Sequence, residues 1–175
     1  MNVGDAMTQS CDVFFYQVGL RLGIDRLAWY AKAFGLGQLS EIDLNHESEG
    51  LIPTAHWKKR RTGIPWQRGE TLSVAIGQGY NLATPVQMMV LISAVANGGF
   101  LLKPQILDRI ETADGRVVMK GQKQVKGKIP VSSKNLEIVR KGLWAVVNGK
   151  RGTARQIRHK EIEICGKTGT AQIGR

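Results

Sequence analysis

Apolar residues recur along the chain with two different periods, and each period predicts a type of element. Between residues 13 and 34 the apolar positions recur every three or four residues, which predicts two short helices. Gly23 and Gly35 follow these two stretches and are typical of helix ends.

The best-marked helix begins after Thr84. Thr84 is a typical N-cap, Pro85 suits the first helical position, and Gln87 completes the pattern of a capping box. Gly98 predicts the end of this helix. Because the positions between are apolar nearly all round, we expect the helix to be buried.

The remaining stretches predict a hairpin, a helix, a strand and a loop. Asp114-Gly115 lies between two runs of β-branched residues and predicts a hairpin turn. An amphipathic helix is predicted after the serine pair 132–133. The alternation of residues over 161–172 predicts a strand. The stretch 38–79 shows no clear period and is predicted to be irregular and loop-rich. Helices that interleave with hairpin strands favour an α+β fold, an antiparallel sheet packed by helices.

Composition narrows the class of protein. With 42% hydrophobic and 22% charged residues, the 175-residue chain is typical of a globular domain. Its 25 basic and 14 acidic residues leave a net charge of +11, which suits acidic partners such as nucleic acid, anionic lipid or an anionic polymer, or simply a soluble surface. No apolar run is long enough for a membrane span, and the first residues lack a signal-peptide pattern. The polar opening, and an end directly after the predicted strand, lead us to expect a piece of a longer protein.

The stretch "ICGKTGT" raises the question of what Lys167 does. A phosphate-binding loop needs a glycine five positions before the Gly-Lys pair, where Glu161 stands, and a helix after it, where a strand is predicted. Two interpretations remain. Lys167 is an exposed lysine on an edge strand, or it belongs to a Lys-Thr-Gly triplet that lines a serine acyl-transfer site.

In the acyl-transfer interpretation, each residue of the stretch has a physical task. Lys167 offers a positive charge to a substrate carboxylate, and Thr168 and Thr170 add hydroxyl donors. Gly169 leaves room for substrate backbone along the strand. Strand alternation sends Lys167 and Gly169 to one face and the threonines to the other, so spacing does not settle which pair faces a cleft.

Other motifs along the chain carry a resemblance to a known family. "SCD" (residues 10–12) resembles the second transpeptidase motif, Ser-x-Asn, with Asp in the third place. "WQRGETLSVAIGQGYNLATPVQM" resembles a long signature of the class B penicillin-binding proteins, and "GTARQ" with "GKTGTAQ" resembles their third motif and its approach. The whole chain is therefore identified as similar to the elongation-specific class B penicillin-binding proteins.

This resemblance implies a fold and a set of site residues. Residues 1–175 would form a partial transpeptidase domain, with an antiparallel sheet packed by helices beside a helical lobe. Ser10, Asp12 and Lys167 would be catalytic, with Ser10 relaying a proton between lysines. Lys167 to Thr170 would bind the terminal carboxylate of a D-Ala-D-Ala stem peptide. Residues Ser10 and Asp12 have a simpler reading as caps of the helix that starts near Val13.

One motif of the family has no counterpart in this chain. No Ser-x-x-Lys occurs before Ser10, so we expect the nucleophilic serine upstream of Met1. We therefore expect the chain alone to be inactive and not to be acylated by a β-lactam. Asp12, which unlike Asn has no N–H to donate, would pair with the lysine of that upstream motif.

The resemblance also bears on cofactors, partners and location. No cofactor is required, although Cys11 would complete a zinc site if upstream Asp and His ligands were present; otherwise it is a buried structural cysteine. The implied partners are peptidoglycan stem peptides, β-lactams and elongation-machinery membrane proteins such as a glycosyltransferase, with no nucleic acid. The full-length protein would lie in the inner membrane with this domain on the periplasmic side. A non-catalytic penicillin sensor or scaffold keeps the same triplets and remains an alternative.

Overall fold

The computed structural model describes residues 1–171 and combines helices with short antiparallel strands. Gln172 and Ile173, at the end of the predicted last strand, lie outside the described residues. The helices are α1 (Val3–Thr8), α2 (Asp12–Leu22), α3 (Ile24–Ala33), α4 (Ala55–Thr62), α5 (Arg68–Ala75), α6 (Pro85–Ala96) and α7 (Ser133–Asn148), with a 3-10 turn at Arg155–Ile157. The strands are β1 (Phe100–Leu102), β2 (Arg109–Glu111), β3 (Val117–Lys120) and β4 (Val125–Lys128).

The chain divides into two compact units. The helical unit comprises residues 1–30, 53–81 and 131–171 and therefore holds α1, α2, most of α3, α4, α5 and α7. The hairpin unit comprises residues 31–52 and 82–130 and holds α6 and the four strands. The combination of helices and antiparallel strands confirms the predicted α+β class.

The core of the helical unit forms where α1 packs on α7 and α2 packs on α5. The α2–α5 contact is close, because a Cβ added at Gly19 would lie 2.5 Å from the Cβ of Ala75. Only glycine therefore allows the two helix backbones to approach this far. The buried apolar residues of this unit are Ala6, Ile24, Ala28, Val74, Leu136, Leu143, Val146, Val147 and Ala154.

Two helices lie in the segment that the sequence pattern predicted to be irregular, so that prediction is wrong for α4 and α5. The residues of α4, "AHWKKRRT", are polar on nearly every face and show no apolar period. The helix is instead stabilised by its ends. The Thr54 hydroxyl accepts the Trp57 N–H at 3.0 Å, and Asp25 accepts the Ala55 N–H at 3.0 Å. The short helix α1 was also not predicted.

The predicted helices over 13–34 are confirmed as α2 and α3, with Gly23 at the end of α2. The serine pair 132–133 is confirmed as the start of α7, where the Ser132 hydroxyl accepts the Asn135 N–H at 3.3 Å. All three helices show an apolar period, and α7 adds a side-chain cap; both are local signals that the sequence displays directly.

In the hairpin unit, α6 has the predicted cap but not the predicted burial. The Thr84 side chain and the Gln87 side chain form the reciprocal hydrogen bonds of a capping box. Met88 and Met89, however, are 46% and 52% exposed, so the prediction of a buried helix is wrong. The helix packs on β1. Such a contact covers one face of a helix, so an all-apolar helix leaves other side chains exposed.

Gln87 is fully buried and joins α6 to the loop that runs from residue 38 to residue 49. Its amide N–H₂ donates to the carbonyl oxygens of Gln38 at 2.7 Å and Glu49 at 2.8 Å. Its amide oxygen accepts the Thr84 N–H at 3.0 Å. A buried amide with these partners ties the loop to the helix without an unsatisfied polar atom.

The strands form two antiparallel pairs, β1 with β4 and β2 with β3. The β2–β3 pair is the predicted hairpin, with Ile110 opposite Met119 and Gly115 in the left-handed region at φ 84°. The turn at Asp114-Gly115 is thereby confirmed.

The predicted strand over 161–172 is wrong for its described part. Residues 161–171 form no strand and pair with no strand within the described chain. Backbone alternation alone does not make a strand, because a ladder needs a neighbouring strand to pair with. Within residues 1–171, no helix has the length and apolar content to cross a membrane.

Candidate active site

Three segments of the helical unit that are distant in sequence line one cleft of about 530 Å³. Ser10 and Asp12 come from the junction of α1 and α2, Gln78 from the loop after α5, and residues 167–170 from the extended segment after α7. The structure thus brings the sequence-predicted residues Ser10, Asp12, Lys167, Thr168, Gly169 and Thr170 together.

Ser10 occupies an uncommon backbone conformation between α1 and α2. Its φ is +51°, in the left-handed region that residues other than glycine rarely adopt. Two backbone hydrogen bonds hold this turn in place, from the Ser10 N–H to the Met7 carbonyl at 3.2 Å and from the Cys11 N–H to the Ala6 carbonyl at 2.9 Å. Such conformations cluster at functional sites, where the surrounding structure maintains them.

The interpretation of Ser10 and Asp12 as helix caps is wrong. The N-cap of α2 is Cys11, whose side chain makes no capping hydrogen bond to any described residue. Asp12 is the first residue of α2, where a negative charge is favourable at the helix N-terminus. The Ser10 hydroxyl points instead to the segment 167–168, because the left-handed turn aims it away from the helix end.

Lys167 is held by oxygen atoms of the cleft. Its ammonium donates to Ser10 Oγ at 2.5 Å, to Thr168 Oγ1 at 3.1 Å and to the Thr168 carbonyl at 3.1 Å. Burial lowers the pKa of Lys167 below the usual lysine value, and the negative charge of Asp12 offsets part of that shift. Among residues 1–171, no carboxylate forms an ion pair with Lys167.

Three hydroxyl groups meet beside the lysine. Ser10 Oγ lies 3.1 Å from Thr168 Oγ1 and 3.2 Å from Thr153 Oγ1, and the two threonine oxygens are 3.2 Å apart. The sequence analysis did not name Thr153 as a site residue, although "GTARQ" was part of the family resemblance. Its position 143 residues from Ser10 leaves no periodic signal in the sequence.

The segment 163–170 is held by hydrogen bonds to α7 and to the loop after α5 instead of by a neighbouring strand. Its backbone contributes one of them, from the Gly166 N–H to the Leu143 carbonyl at 3.2 Å. The Asn148 amide donates to the Ile164 carbonyl at 2.9 Å, and the Trp144 indole N–H donates to the Glu163 carboxylate at 2.6 Å. At the other end, the Gln78 amide donates to the Thr170 carbonyl at 2.8 Å.

This path explains why strand alternation does not apply to Lys167 and Thr168. The segment is not flattened into a sheet, so both side chains reach Ser10. Gly169 faces open space, because a Cβ built there would meet no described atom within 4 Å. Gln78 is a further cleft residue that the sequence analysis missed. It lies in "AIGQGYN", between two glycines with positive φ, and no pattern in that stretch marks it as a cleft residue.

The two cysteines differ in their surroundings. Cys11 is partly buried and Cys165 is exposed. Burial raises the pKa of the Cys165 thiol, and the negative charge of Glu163 raises it further. Within the described part of the chain, no three His, Cys, Asp or Glu side chains are placed to hold a metal. The zinc role of Cys11 stays a prediction.

Comparison with known proteins identifies what this arrangement resembles. The peptidoglycan D,D-transpeptidase MrdA of Escherichia coli K12 is 38% identical over 175 residues, which cover 99% of this chain and 27% of MrdA. The structure of penicillin-binding protein 2 (PBP2) from Pseudomonas aeruginosa in complex with WCK 5153 has a TM-score of 0.84 at 35% identity, covering 99% of this chain and 39% of that one. PBP2 from Helicobacter pylori, in its complex with MreC, has a TM-score of 0.82 at 34% identity, covering 99% and 31%.

The chain thus spans about a quarter of the length of the curated relatives it matches. The family model that describes the penicillin-binding protein transpeptidase domain matches residues 1–175. The family resemblance read from the motifs is confirmed, and the chain belongs to the penicillin-binding protein transpeptidase domain family.

Proposed function

We propose that this chain is part of a peptidoglycan D,D-transpeptidase that cross-links stem peptides through an acyl-serine intermediate during cell-wall elongation. The observation that carries this proposal is the cleft in which Lys167 contacts Ser10 and Thr168. A lysine that is held by hydroxyls, with no ion pair to a described carboxylate, keeps its positive charge available for an anionic ligand.

The proposed ligand of this lysine is the terminal carboxylate of a D-Ala-D-Ala stem peptide. Lys167 supplies the charge, and the hydroxyls of Thr168 and Thr170 supply additional donors. Gly169 leaves the cleft open at the point where the peptide backbone would lie. β-lactams carry a carboxylate in a comparable place and would use the same donors.

In the proposed reaction, a serine of a Ser-x-x-Lys motif outside this chain attacks the carbonyl carbon of the penultimate D-Ala. A Ser–acyl ester bond forms, the peptide bond to the terminal D-Ala breaks, and the serine proton ends on the leaving amine. An amine of a second stem peptide then attacks the ester and frees the serine. Ser10 relays the proton, giving its own to the leaving nitrogen and regaining one from the lysine of the motif.

Asp12 lines the same cleft, and we assign it to pairing with the lysine of that motif. The reaction needs no cofactor, because serine and lysine carry out both acyl transfer and proton transfer. A zinc site at Cys11 would need ligands from outside residues 1–171, because no three His, Cys, Asp or Glu side chains of the described chain are placed to hold a metal.

The partners and location of the full-length protein follow from the same proposal. Stem peptides and β-lactams would occupy the cleft on the periplasmic side of the inner membrane, and no nucleic acid is involved. Other regions of the protein would contact elongation-machinery membrane proteins, such as a glycosyltransferase. The PBP2 of Helicobacter pylori, at 34% identity, is in complex with MreC, which supports a protein partner of this kind.

The test uses labelled penicillin and the full-length protein that carries this segment. Mass spectrometry should find one adduct, on the serine of a Ser-x-x-Lys motif, and Ser10→Ala should slow its formation by about 10²-fold. The 175-residue chain alone should form no adduct. An adduct on that chain, or a full-length protein that is acylated yet never cross-links stem peptides, would contradict the proposal. The second outcome would favour the sensor alternative.

A further inference from the structure

Thr153 lies in a short loop after α7 whose backbone is fixed on both sides. Its N–H donates to the Thr8 carbonyl at 3.3 Å, and the next residue, Ala154, donates its N–H to the Val146 carbonyl at 3.0 Å. A Cβ at Gly152 would lie within 2.2 Å of that same Val146 oxygen, so only glycine lets the loop pass this close. The backbone at Thr153 is therefore fixed by contacts outside the cleft, and its side chain begins from a set position.

The donors of Lys167 are fully used in the cleft. An ammonium has three N–H donors, and three oxygens accept from it: Ser10 Oγ, Thr168 Oγ1 and the Thr168 carbonyl. Each hydroxyl has one donor and two acceptor lone pairs. Lys167 therefore occupies one lone pair of Ser10 and one of Thr168.

Among the described residues, the three hydroxyls can satisfy one another in a ring, in which each donates to one neighbour and accepts from the other. In that ring Ser10 and Thr168 are saturated. Lys167 does not donate to Thr153. One lone pair of the Thr153 oxygen is therefore unused by the described hydrogen bonds. The ring thus has two hydroxyls that accept from Lys167 and one, on Thr153, that makes no described hydrogen bond with the lysine.

Substrate would open this ring. In the proposed reaction, Lys167 and Thr168 turn donors to the substrate carboxylate, and Ser10 turns its O–H to the leaving nitrogen. Release of the Lys167 donor leaves Ser10 Oγ two lone pairs, one for the lysine of the Ser-x-x-Lys motif and one for Thr153. Thr153 is then the one hydroxyl of the three with a proton still free to donate within the ring. Its oxygen is 3.2 Å from Ser10 Oγ, which is within hydrogen-bonding reach.

We propose that Thr153 is a positioning residue that donates to Ser10 Oγ and holds the Ser10 proton in the direction of the cleft. The proposal rests on the relay role of Ser10 in the proposed function. Thr153 keeps its own proton throughout. The proton that Ser10 passes to the leaving nitrogen is replaced from the nucleophilic serine through the lysine of its motif, so no proton is gained or lost.

The test compares hydroxyl-free and hydroxyl-retaining variants of the full-length protein. Acylation by a fluorescent penicillin is followed over time, and each rate is expressed per molecule labelled at completion, so that partly unfolded protein does not lower it. Thr153→Val should slow the acylation step about tenfold while changing the noncovalent binding constant less than about twofold. Thr153→Ser should restore the wild-type rate.

A matched control is Thr62→Val, because the Thr62 hydroxyl donates to the Lys58 carbonyl at 2.9 Å within a helix and does not line the cleft. It should acylate at the wild-type rate. The Thr153 proposal is overturned if Thr153→Val acylates like the wild type while Ser10→Ala is slow. It is also overturned if Thr153→Ser is as slow as Thr153→Val. A Ser10→Ala variant with the wild-type rate would instead refute the relay itself.

Discussion

Lys58 and Lys167 are two lysines of the helical unit in opposite electrostatic surroundings. The Lys58 side chain is 5% exposed and forms a 2.5 Å ion pair with Glu70, and its ammonium also donates to the Pro65 carbonyl at 3.2 Å. Lys167 donates to two hydroxyls and a backbone carbonyl, and it has no ion pair among the described residues.

The contrast separates a structural lysine from one that is suited to bind a ligand. The charge of Lys58 is neutralised inside the protein, where removing either partner leaves a buried charge. The charge of Lys167 is oriented by neutral groups but not cancelled, so an anion that enters the cleft meets it directly. The partners of the two lysines therefore set how much of each charge an incoming anion would meet.

The largest expected effect comes from removing the charge of Lys167. Lys167→Met in the full-length protein should slow acylation by penicillin about 10²- to 10³-fold, because the carboxylate would lose its cationic donor. Its free energy of unfolding in urea should change by less than about 0.5 kcal/mol, since no ion pair is broken. If Lys167→Met instead lost much stability and acylated normally, Lys167 would be the structural lysine, and the contrast with Lys58 would be wrong.

Removing Lys58 should have the opposite outcome. Lys58→Met should lower the free energy of unfolding by about 1.5–3 kcal/mol, because Glu70 would lose its charged hydrogen-bond partner, and it should leave acylation per labelled molecule unchanged. Lys59→Met, at an exposed neighbour, is the control and should change stability by less than about 0.5 kcal/mol. Equal effects of the two substitutions would show that the buried pair contributes nothing specific.

The same pair predicts a pH dependence. Burial raises the pKa of Glu70, but hydrogen bonds from Lys58, the Gln67 N–H and Tyr80 outweigh it, so the pKa is lowered below its ordinary 4.5. Because folding lowers the pKa of Glu70, its ionised carboxylate stabilises the fold at pH values above its pKa in the unfolded chain. This stabilisation is lost as the pH falls through the pKa of Glu70 in the folded protein. The stability difference between wild type and Glu70→Gln should therefore shrink as the pH falls below about 4.5.

The smallest expected effect comes from removing the charge of Asp12, which tests how that charge influences the pKa of Lys167. The Asp12 charge raises the pKa of Lys167 against the larger effect of burial. Asp12→Asn should lower that pKa further, so the alkaline limb of the acylation profile should move to lower pH. At neutral pH the rate should fall by no more than about fivefold. The control Asp5→Asn, at an exposed carboxylate of α1, should leave the pH profile of acylation unchanged. If Asp12→Asn also leaves it unchanged, Asp12 and Lys167 are not electrostatically coupled.

Two predicted helices, α6 and α7, carry local signals that the missed helix α4 only partly shares. In α6 and α7 an apolar stretch follows a side-chain cap, and these signals act within a few residues of one another. In α4 the helix is polar on nearly every face, and part of its stability comes from Lys58, which pairs with a carboxylate 12 residues away. A contact over that distance leaves no periodic pattern in the sequence.

The residues of the candidate site also fall into those that the sequence predicted and those that it did not. Ser10, Lys167 and their motif neighbours could be named from short triplets and the family that they resemble. Thr153 and Gln78 could not, since their contacts to the cleft join residues that are far apart in the chain. The predicted strand at the site was wrong for a related reason: alternation describes one chain segment, while a strand depends on its neighbour.

The amino-acid sequence by itself determined the α+β class, the capped helices, the hairpin turn and the motif residues of the cleft, because each depends on residues near one another or on a recognisable triplet. Only the tertiary structure decided which lysine is neutralised and which is left with a free charge, and that three hydroxyls meet beside Lys167. The physical reason is that hydrogen bonds and ion pairs depend on distances of about 3 Å in space, and folding brings to that distance residues that are up to 158 positions apart in the chain.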